Sequence, residues 1–180
     1  MSHGSEIMAP SSFVAEWIGR LAGRSTFEVR RSALDVAMGR GRHALVLARE
    51  GFTTFGVDIR LDAVQEAMRA AAGEGLALRA WCADLTQTPL ALARFDLIVV
   101  TRYLQRDLFP SLREAVVPAG AILYETFTVA QRALGRGPTS PDHLLEPGEL
   151  RDRFEGFEVL FYEEVSEPDA VARIVARRSA

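Results

Sequence analysis

Ser32-Ala33-Leu34-Asp35-Val36-Ala37-Met38-Gly39-Arg40-Gly41-Arg42-His43-Ala44-Leu45-Val46-Leu47-Ala48 is the stretch from which the rest of the chain is read. Ala33 to Val36 is a short run consistent with a buried parallel strand. Gly39 and Gly41 then let the backbone turn sharply and approach a ligand closely. From Arg42 onward Ala44, Leu45, Leu47 and Ala48 recur at helical spacing. Strand, glycine turn and helix in that order aim unpaired N–H groups and the positive end of a helix at one point, which is a cradle for a nucleotide-type cofactor.

Two ligands compete for this cradle. Gly39-Arg40-Gly41-Arg42-His43-Ala44 satisfies the spacing G-x-G-x-x-G/A of dinucleotide-binding loops. Asp35, four residues before Gly39, separates the two readings. A carboxylate there repels a pyrophosphate seated on the helix N-terminus and suits a ligand bearing an ammonium and a sulfonium, as S-adenosylmethionine does. Asp35-Val36-Ala37-Met38-Gly39-Arg40-Gly41 resembles the D-x-G-x-G-x-G motif of class I methyltransferases, with Ala37 in the place of the first glycine. The resemblance implies an α/β, Rossmann-like seven-stranded sheet with helices on both faces, five parallel strands followed by an antiparallel hairpin. It also implies S-adenosylmethionine as cofactor, with Asp35, Ala37, Gly39 and Gly41 lining it.

Bulk properties bound the alternatives. A chain of 180 residues suits one domain, 1–180, with a substantial core. The hydrophobic share of 48% and the charged share of 25% are those of a soluble globular protein. A net charge of −3 argues against a general nucleic-acid or membrane-surface binder, and no apolar run approaches the ~18 residues of a membrane helix. Met1 to Glu6 lacks the basic-then-apolar pattern of an export signal. One cysteine, Cys82, excludes an internal disulfide and fits the cytoplasm, as a small core residue rather than a nucleophile. That cysteine and three scattered histidines offer no metal-ligand spacing. The expected form is a monomer or homodimer acting on a small molecule.

Taken in order, residues 1–10 read as a loose terminus and residues 11–23 as a helix capped by Ser11 or Ser12, with Phe13, Val14, Trp17, Ile18 and Leu21 on its apolar face. It serves as a packing helix or as a lid over the cofactor. Phe52 to Asp58 is strand two, and Asp58 lies 17 residues beyond Gly41, near the distance expected of an acid that grips a ribose diol. The resembled class carries an acid there for that purpose, with Ile59 beside the adenine. A helix over Leu61 to Ala72 and a third strand over Leu76 to Cys82 lead to Asp84. The resemblance gives Asp84 the adenine amino group, with Leu85 beside it; the plain alternative is an ordinary turn residue. Asp96 to Thr101 is the central fourth strand. Thr101 closes the cofactor set, and Arg102 and Tyr103 fall where an acceptor would meet the transferable methyl.

A helix over Leu108 to Val116 precedes strand five, Ala121 to Phe127. Residues 130–149, rich in Gly and Pro, read as a lid insertion carrying Arg132, Arg136 and His143. A helix over Gly148 to Phe154 follows, and strands over Phe157 to Glu163 and Ala170 to Arg177 are joined too tightly for a crossover, so they form an antiparallel hairpin.

More narrowly, the glycine stretch, Thr101-Arg102-Tyr103-Leu104 and the segment Gly135 to Leu150 resemble small bacterial methyltransferases of the tellurite-resistance type. That resemblance implies a small-molecule or oxyanion acceptor. No N-P-P-Y tetrapeptide follows strand four, which counts against amino-methylating enzymes. Arg102 and Tyr103 are the candidate catalytic residues, and Tyr103, His43 and Glu125 are the candidate bases should the acceptor need one. Two other readings stand beside methyl transfer: a non-catalytic S-adenosylmethionine-binding protein, and a nicotinamide-dependent oxidoreductase, which Asp35 opposes.

Overall fold

The computed structural model describes residues 9–23 and 31–180. Most of the expected loose terminus therefore lies outside the described residues. The chain divides into two compact units, Met1–Ala83 and Asp84–Ala180.

In the first unit, α1 (Ser12–Ala22) buries Phe13, Val14, Trp17 and Ile18 of the expected face and leaves Leu21, near its end, half-buried. Ser11 stands at its N-cap without a side-chain capping bond. β1 (Ser32–Val36) is buried from Ala33 onward, as a strand covered on both faces must be. α2 (Arg42–Arg49) turns His43, Ala44, Leu45 and Leu47 inward. β2 (Thr53–Asp58) runs parallel to β1 with Asp35 opposite Gly56. α3 (Leu61–Gly73) buries Ala63, Val64, Ala67 and Ala71, small side chains that let the helix lie close to its neighbours. β3 (Leu78–Cys82) runs parallel to β2 with Cys82 opposite Asp58. Cys82 is exposed rather than a core residue, because β3 is the first strand of the sheet and is only partly covered; its thiol donates to the Ile59 carbonyl at 3.2 Å.

In the second unit, β4 (Phe95–Thr101) is buried at every residue but Asp96. A single tight turn of helix at Arg106–Leu108 leads into α4 (Phe109–Ala115). β5 (Val116–Phe127) begins five residues before the expected start. Phe95 pairs with Val116 and Leu97 with Ala121, so Pro118, Ala119 and Gly120 bulge out inside the strand, with Ala119 at φ 63°. α5 (Glu149–Asp152) is one turn long. β6 (Glu158–Val165) and β7 (Val171–Arg177) form the expected antiparallel hairpin. β7 also pairs antiparallel with β5, so the hairpin's second strand lies inside its first. The resulting order is β3-β2-β1-β4-β5-β7-β6, with β4 at the centre as expected. Phe109, Tyr124 and Phe154 form an aromatic core, Phe109 stacked on Tyr124 at 5.4 Å and edge-on to Phe154 at 5.6 Å.

The segment expected as a lid is anchored along its length. Leu144 and Leu145 are fully buried, and Leu145 exchanges backbone bonds with Phe127 and Val129. Buried Gln131 accepts from the Ala170 amide at 2.7 Å and donates to the Arg136 carbonyl at 2.9 Å. Arg106 grips Glu149 with two bonds of 2.8 Å and donates to the Leu144 carbonyl at 2.9 Å.

Candidate cofactor site

At the end of β1 the chain passes through Ala37 (φ 53°), Gly39 (φ 54°) and Gly41 (φ 82°), three residues in the left-handed region within five positions. Glycine enters that region freely and alanine at a cost, so Ala37 holds its conformation because its neighbours impose it. Met38 is the chief anchor. Its amide donates to the Val57 carbonyl at 3.0 Å, and its side chain packs with Ala44, Val64 and Ala67. Its sulfur fills the space above Gly56, where a Cβ would stand 2.1 Å from it. Gly56 is thus required by the loop, a dependence carried by tertiary packing alone.

The two motif glycines divide the work. A Cβ on Gly41 would stand 2.8 Å from the Cβ of Ala67, so Gly41 permits close packing of α3. A Cβ on Gly39 would meet nothing within 4 Å. Gly39 is therefore the glycine whose Cα faces open space.

Asp35 is fully buried, and its Oδ2 accepts from the Ala44 amide in the first turn of α2 at 2.9 Å. Its Oδ1 is buried with no hydrogen-bond partner, the one such side-chain atom among the described residues. Burial raises its pKa to about 7, against the opposing pull of the Ala44 amide and Arg42 and with a small push from Asp58. Asp58, at the end of β2, accepts from the Gly39 amide through Oδ2 at 2.8 Å and from the Arg60 amide through Oδ1 at 2.9 Å. Each carboxylate oxygen keeps a second acceptor direction. Next to it Ile59 and Leu61 are 64% and 56% exposed, an apolar surface beside a carboxylate. An orphaned buried acceptor, an open glycine and a carboxylate flanked by exposed apolar side chains fit a ligand with a cationic group, hydroxyls and a flat apolar base.

His43 is buried, and its Nε2 accepts from the Ser11 amide at 3.0 Å. The backbone N–H is the only possible donor of that pair, so this nitrogen holds no proton.

On the second unit, Asp84 behaves as a turn residue. Its Oδ1 accepts from the Thr86 hydroxyl at 2.7 Å and the Thr86 amide at 2.9 Å, and these bonds hold its pKa below the ordinary carboxylate value. Leu85 is half-buried in the same turn. Thr101 is buried at the end of β4, opposite Glu125. Arg102 follows at φ 52°, its amide donating to the Glu125 carbonyl at 2.8 Å. Its guanidinium lies 5.4 Å over the Phe127 ring and pairs with Asp169 at 3.0 Å. Arg136 pairs with the other oxygen of Asp169 at 3.1 Å and donates to the Pro168 carbonyl. The fold thus brings Arg102 and Arg136 together on one carboxylate, while Arg132 turns to the Thr139 carbonyl within its own loop. The Tyr103 hydroxyl donates to Gln105, and the Tyr103 carbonyl accepts from the Tyr124 hydroxyl at 2.8 Å. Glu125 is buried against Arg173 at 2.6 Å, and Arg173 also binds Glu163 at 2.8 Å across β5, β7 and β6. Asp169 and the Arg106–Glu149 pair carry no motif; only chain folding over 67 and 43 positions reveals them.

Residues 33–120 match the family model described as a methyltransferase domain. The matched stretch, just under half of the chain, resembles a methyltransferase domain. S-adenosylmethionine is the cofactor that this domain implies. Solved structures share the fold. TehB from Haemophilus influenzae has a TM-score of 0.71 at 18% identity over 89% of this chain, which spans 62% of the TehB chain. A S-adenosylmethionine-dependent methyltransferase from Mesorhizobium loti has a TM-score of 0.69 at 20% identity over 91% of this chain and 98% of its own. The cyclase SpnF has a TM-score of 0.72 at 16% identity over 92% of this chain and 81% of its own. No curated protein matches the sequence. Among the described residues no helix is long and apolar enough to cross a membrane, and no cluster of side chains could hold a metal ion.

Proposed function

We infer that this protein transfers the methyl group of S-adenosylmethionine to a small acceptor bearing an anionic or oxygen-rich group. The observation that carries the reading is the glycine loop of the first unit, in which Asp58 fixes Gly39 while Asp35 caps α2 and keeps an unmet acceptor atom. The two compact units are read as parts of one domain, because the stretch matched by the family model runs through residue 83.

When bound, the cofactor supplies an electrophilic methyl on its sulfonium. Asp58 accepts from the ribose hydroxyls with the lone pairs that the Gly39 and Arg60 amides leave over, and Ile59 offers its exposed side chain to the adenine. Asp35 stabilises positive charge at the motif's start and, by holding Ala44, keeps α2 aimed. Ala37, Gly39 and Gly41 shape the backbone around the ligand. On the second unit the resemblance assigns Asp84 and Leu85 to the adenine end and Thr101 to the cofactor. There Arg102 is read as the group that orients an acceptor anion in two-point geometry, with Tyr103 beside it as wall or hydrogen-bond partner. Positioning dominates such a transfer, and a base is needed only for a protonated acceptor. His43 and Glu125 are poor candidates for that base, since Nε2 of one holds Ser11 and Oε2 of the other holds Arg173.

Calorimetric titration with S-adenosylmethionine and with NAD tests the cofactor. Binding of the first and not the second is expected, and preference for NAD would overturn the reading. Incubation with radiolabelled cofactor and a panel of small carboxylates and oxyanions, followed by mass spectrometry, separates an enzyme from a non-catalytic binder.

A further inference from the structure

We propose that His43 is a positioning residue whose neutral imidazole ties the start of α1 to the first turn of α2, and that its protonation releases α1 and weakens the hold on the cofactor. The second half of the statement rests on the cofactor reading above. The tether itself does not.

The bond joins residues 32 positions apart, and it is buried at the histidine end. Its polarity is fixed by chemistry. The Ser11 amide can only donate, so Nε2 must carry a lone pair, and an imidazolium would set two N–H groups against each other. Histidine is the side chain whose ordinary pKa puts such a change near neutrality. No side-chain cap supports the α1 N-terminus in its place. A second contact reaches the same segment from the same turn of α2, the Arg42 guanidinium on the Ala9 carbonyl at 3.5 Å. His43 lies two residues after Gly41 and one before Ala44, whose amide is held by Asp35, so the tether shares one helical turn with the glycine loop.

Among the described residues, other charged groups stand on the elements around α2, and Arg40 just before it pairs with Glu66 of α3 at 2.6 Å. β1 brings Asp35, and β2 brings Asp58, which is held by the Gly39 and Arg60 amides. β3 brings Arg79, which lies 5.6 Å from the centre of the Phe55 ring. α1 brings Glu16 and Arg20, paired with each other at 2.5 Å. Asp35 also changes charge near neutrality, so its contribution must be separated from that of His43.

Trp17, buried on α1, reports docking of that helix without any cofactor. In a Trp81→Phe background, which leaves Trp17 as the only tryptophan, emission of the cofactor-free protein is followed from pH 8 to pH 5. A red shift is expected on acidification. His43→Gln should remain blue-shifted throughout, because a side-chain amide oxygen accepts from Ser11 at every pH, and Asp35→Asn should keep the transition. Emission that stays flat in the parent, or a transition that persists in His43→Gln or vanishes in Asp35→Asn, would overturn the tether. Should His43→Gln fail to fold, the amide proton shift of Ser11 in the unmodified protein decides: it must titrate with the His43 ring signals, and independence of the two refutes the idea. For the cofactor half, the dissociation constant of S-adenosylmethionine should rise about five- to tenfold from pH 8 to pH 5, the worth of one lost bond plus some repulsion, and His43→Gln should flatten the rise. A Trp17 transition with pH-independent cofactor affinity would refute that coupling. Absence of binding at pH 8 would instead overturn the cofactor reading, and the Trp17 result would still judge the tether.

Discussion

Ala37→Gly should stabilise the cofactor-free protein, against the usual cost of introducing glycine. Ala37 stands at φ 53°, in the left-handed region where a Cβ crowds the following carbonyl. An L-residue there costs roughly 1–2 kcal/mol relative to glycine. Against this, glycine widens the unfolded ensemble at a cost of about 0.4–1 kcal/mol. The net expectation is a gain of about 0.5–1 kcal/mol, which for a chain of this length moves the thermal midpoint by about 1–4 °C. Urea unfolding at constant m-value measures it directly. Gly41→Ala is the matched control with the opposite sign. Gly41 stands at φ 82°, and its Cβ would press to 2.8 Å from that of Ala67, so steric overlap adds to the same backbone cost and a loss of about 2 kcal/mol or more is expected. A clear loss of stability in Ala37→Gly would refute the argument, since it would mean that Ala37 holds an ordinary conformation in solution.

The remaining predictions concern the carboxylates and Arg102. Asp35 carries a folded-state pKa of about 7 against an unfolded value of 3.8, so its contribution to stability is most favourable below the lower value and is lost as pH rises towards 7, by roughly 4 kcal/mol across the window. Asp35→Asn should lack that decline, and chemical denaturation at pH 4 and pH 7 with equal slopes for both proteins would sink the assignment. Glu149 behaves in the opposite sense: burial pushes its pKa up, but bonds from Arg106, the Glu146 amide and Arg153 outweigh this and hold it at about 2, so its contribution is present above pH 4.5 and fades as pH falls below that value. Glu149→Gln should therefore speed amide exchange at Leu144 and Leu145 at neutral pH, and unchanged exchange would show that the segment is held elsewhere. Asp58→Ala should raise the dissociation constant of S-adenosylmethionine on the order of tenfold to a hundredfold, the value of a charged hydrogen bond, and calorimetry showing no change in a folded variant would remove the ribose role. Arg102→Lys should keep cofactor affinity and lower turnover, since lysine keeps the charge but loses the two-point fork; unaltered turnover in both Arg102→Lys and Arg102→Ala would exclude an orienting role.

By itself the sequence determined the strand–turn–helix at Ala33 to Ala48, the parallel repeats that follow it and the closing hairpin. All of these are written in local periodicity and in connection lengths, which one segment carries alone. It also placed Asp35 and Asp58 at strand ends, because spacing from a glycine loop is a one-dimensional quantity. Tertiary structure decided what each of those residues touches. Gly41 faces Ala67 while Gly39 faces open space, a distinction that depends on where α3 comes to rest. His43 and Glu125, read as candidate bases, are held by Ser11 and Arg173, partners 32 and 48 positions away. Arg102 shares Asp169 with Arg136, and the segment read as a lid is held by Gln131, Leu144, Leu145 and Glu149. A charged or polar side chain is assigned its task by whichever group lies within about 3 Å of it, and for partners this far apart along the chain that distance exists only once the chain has folded.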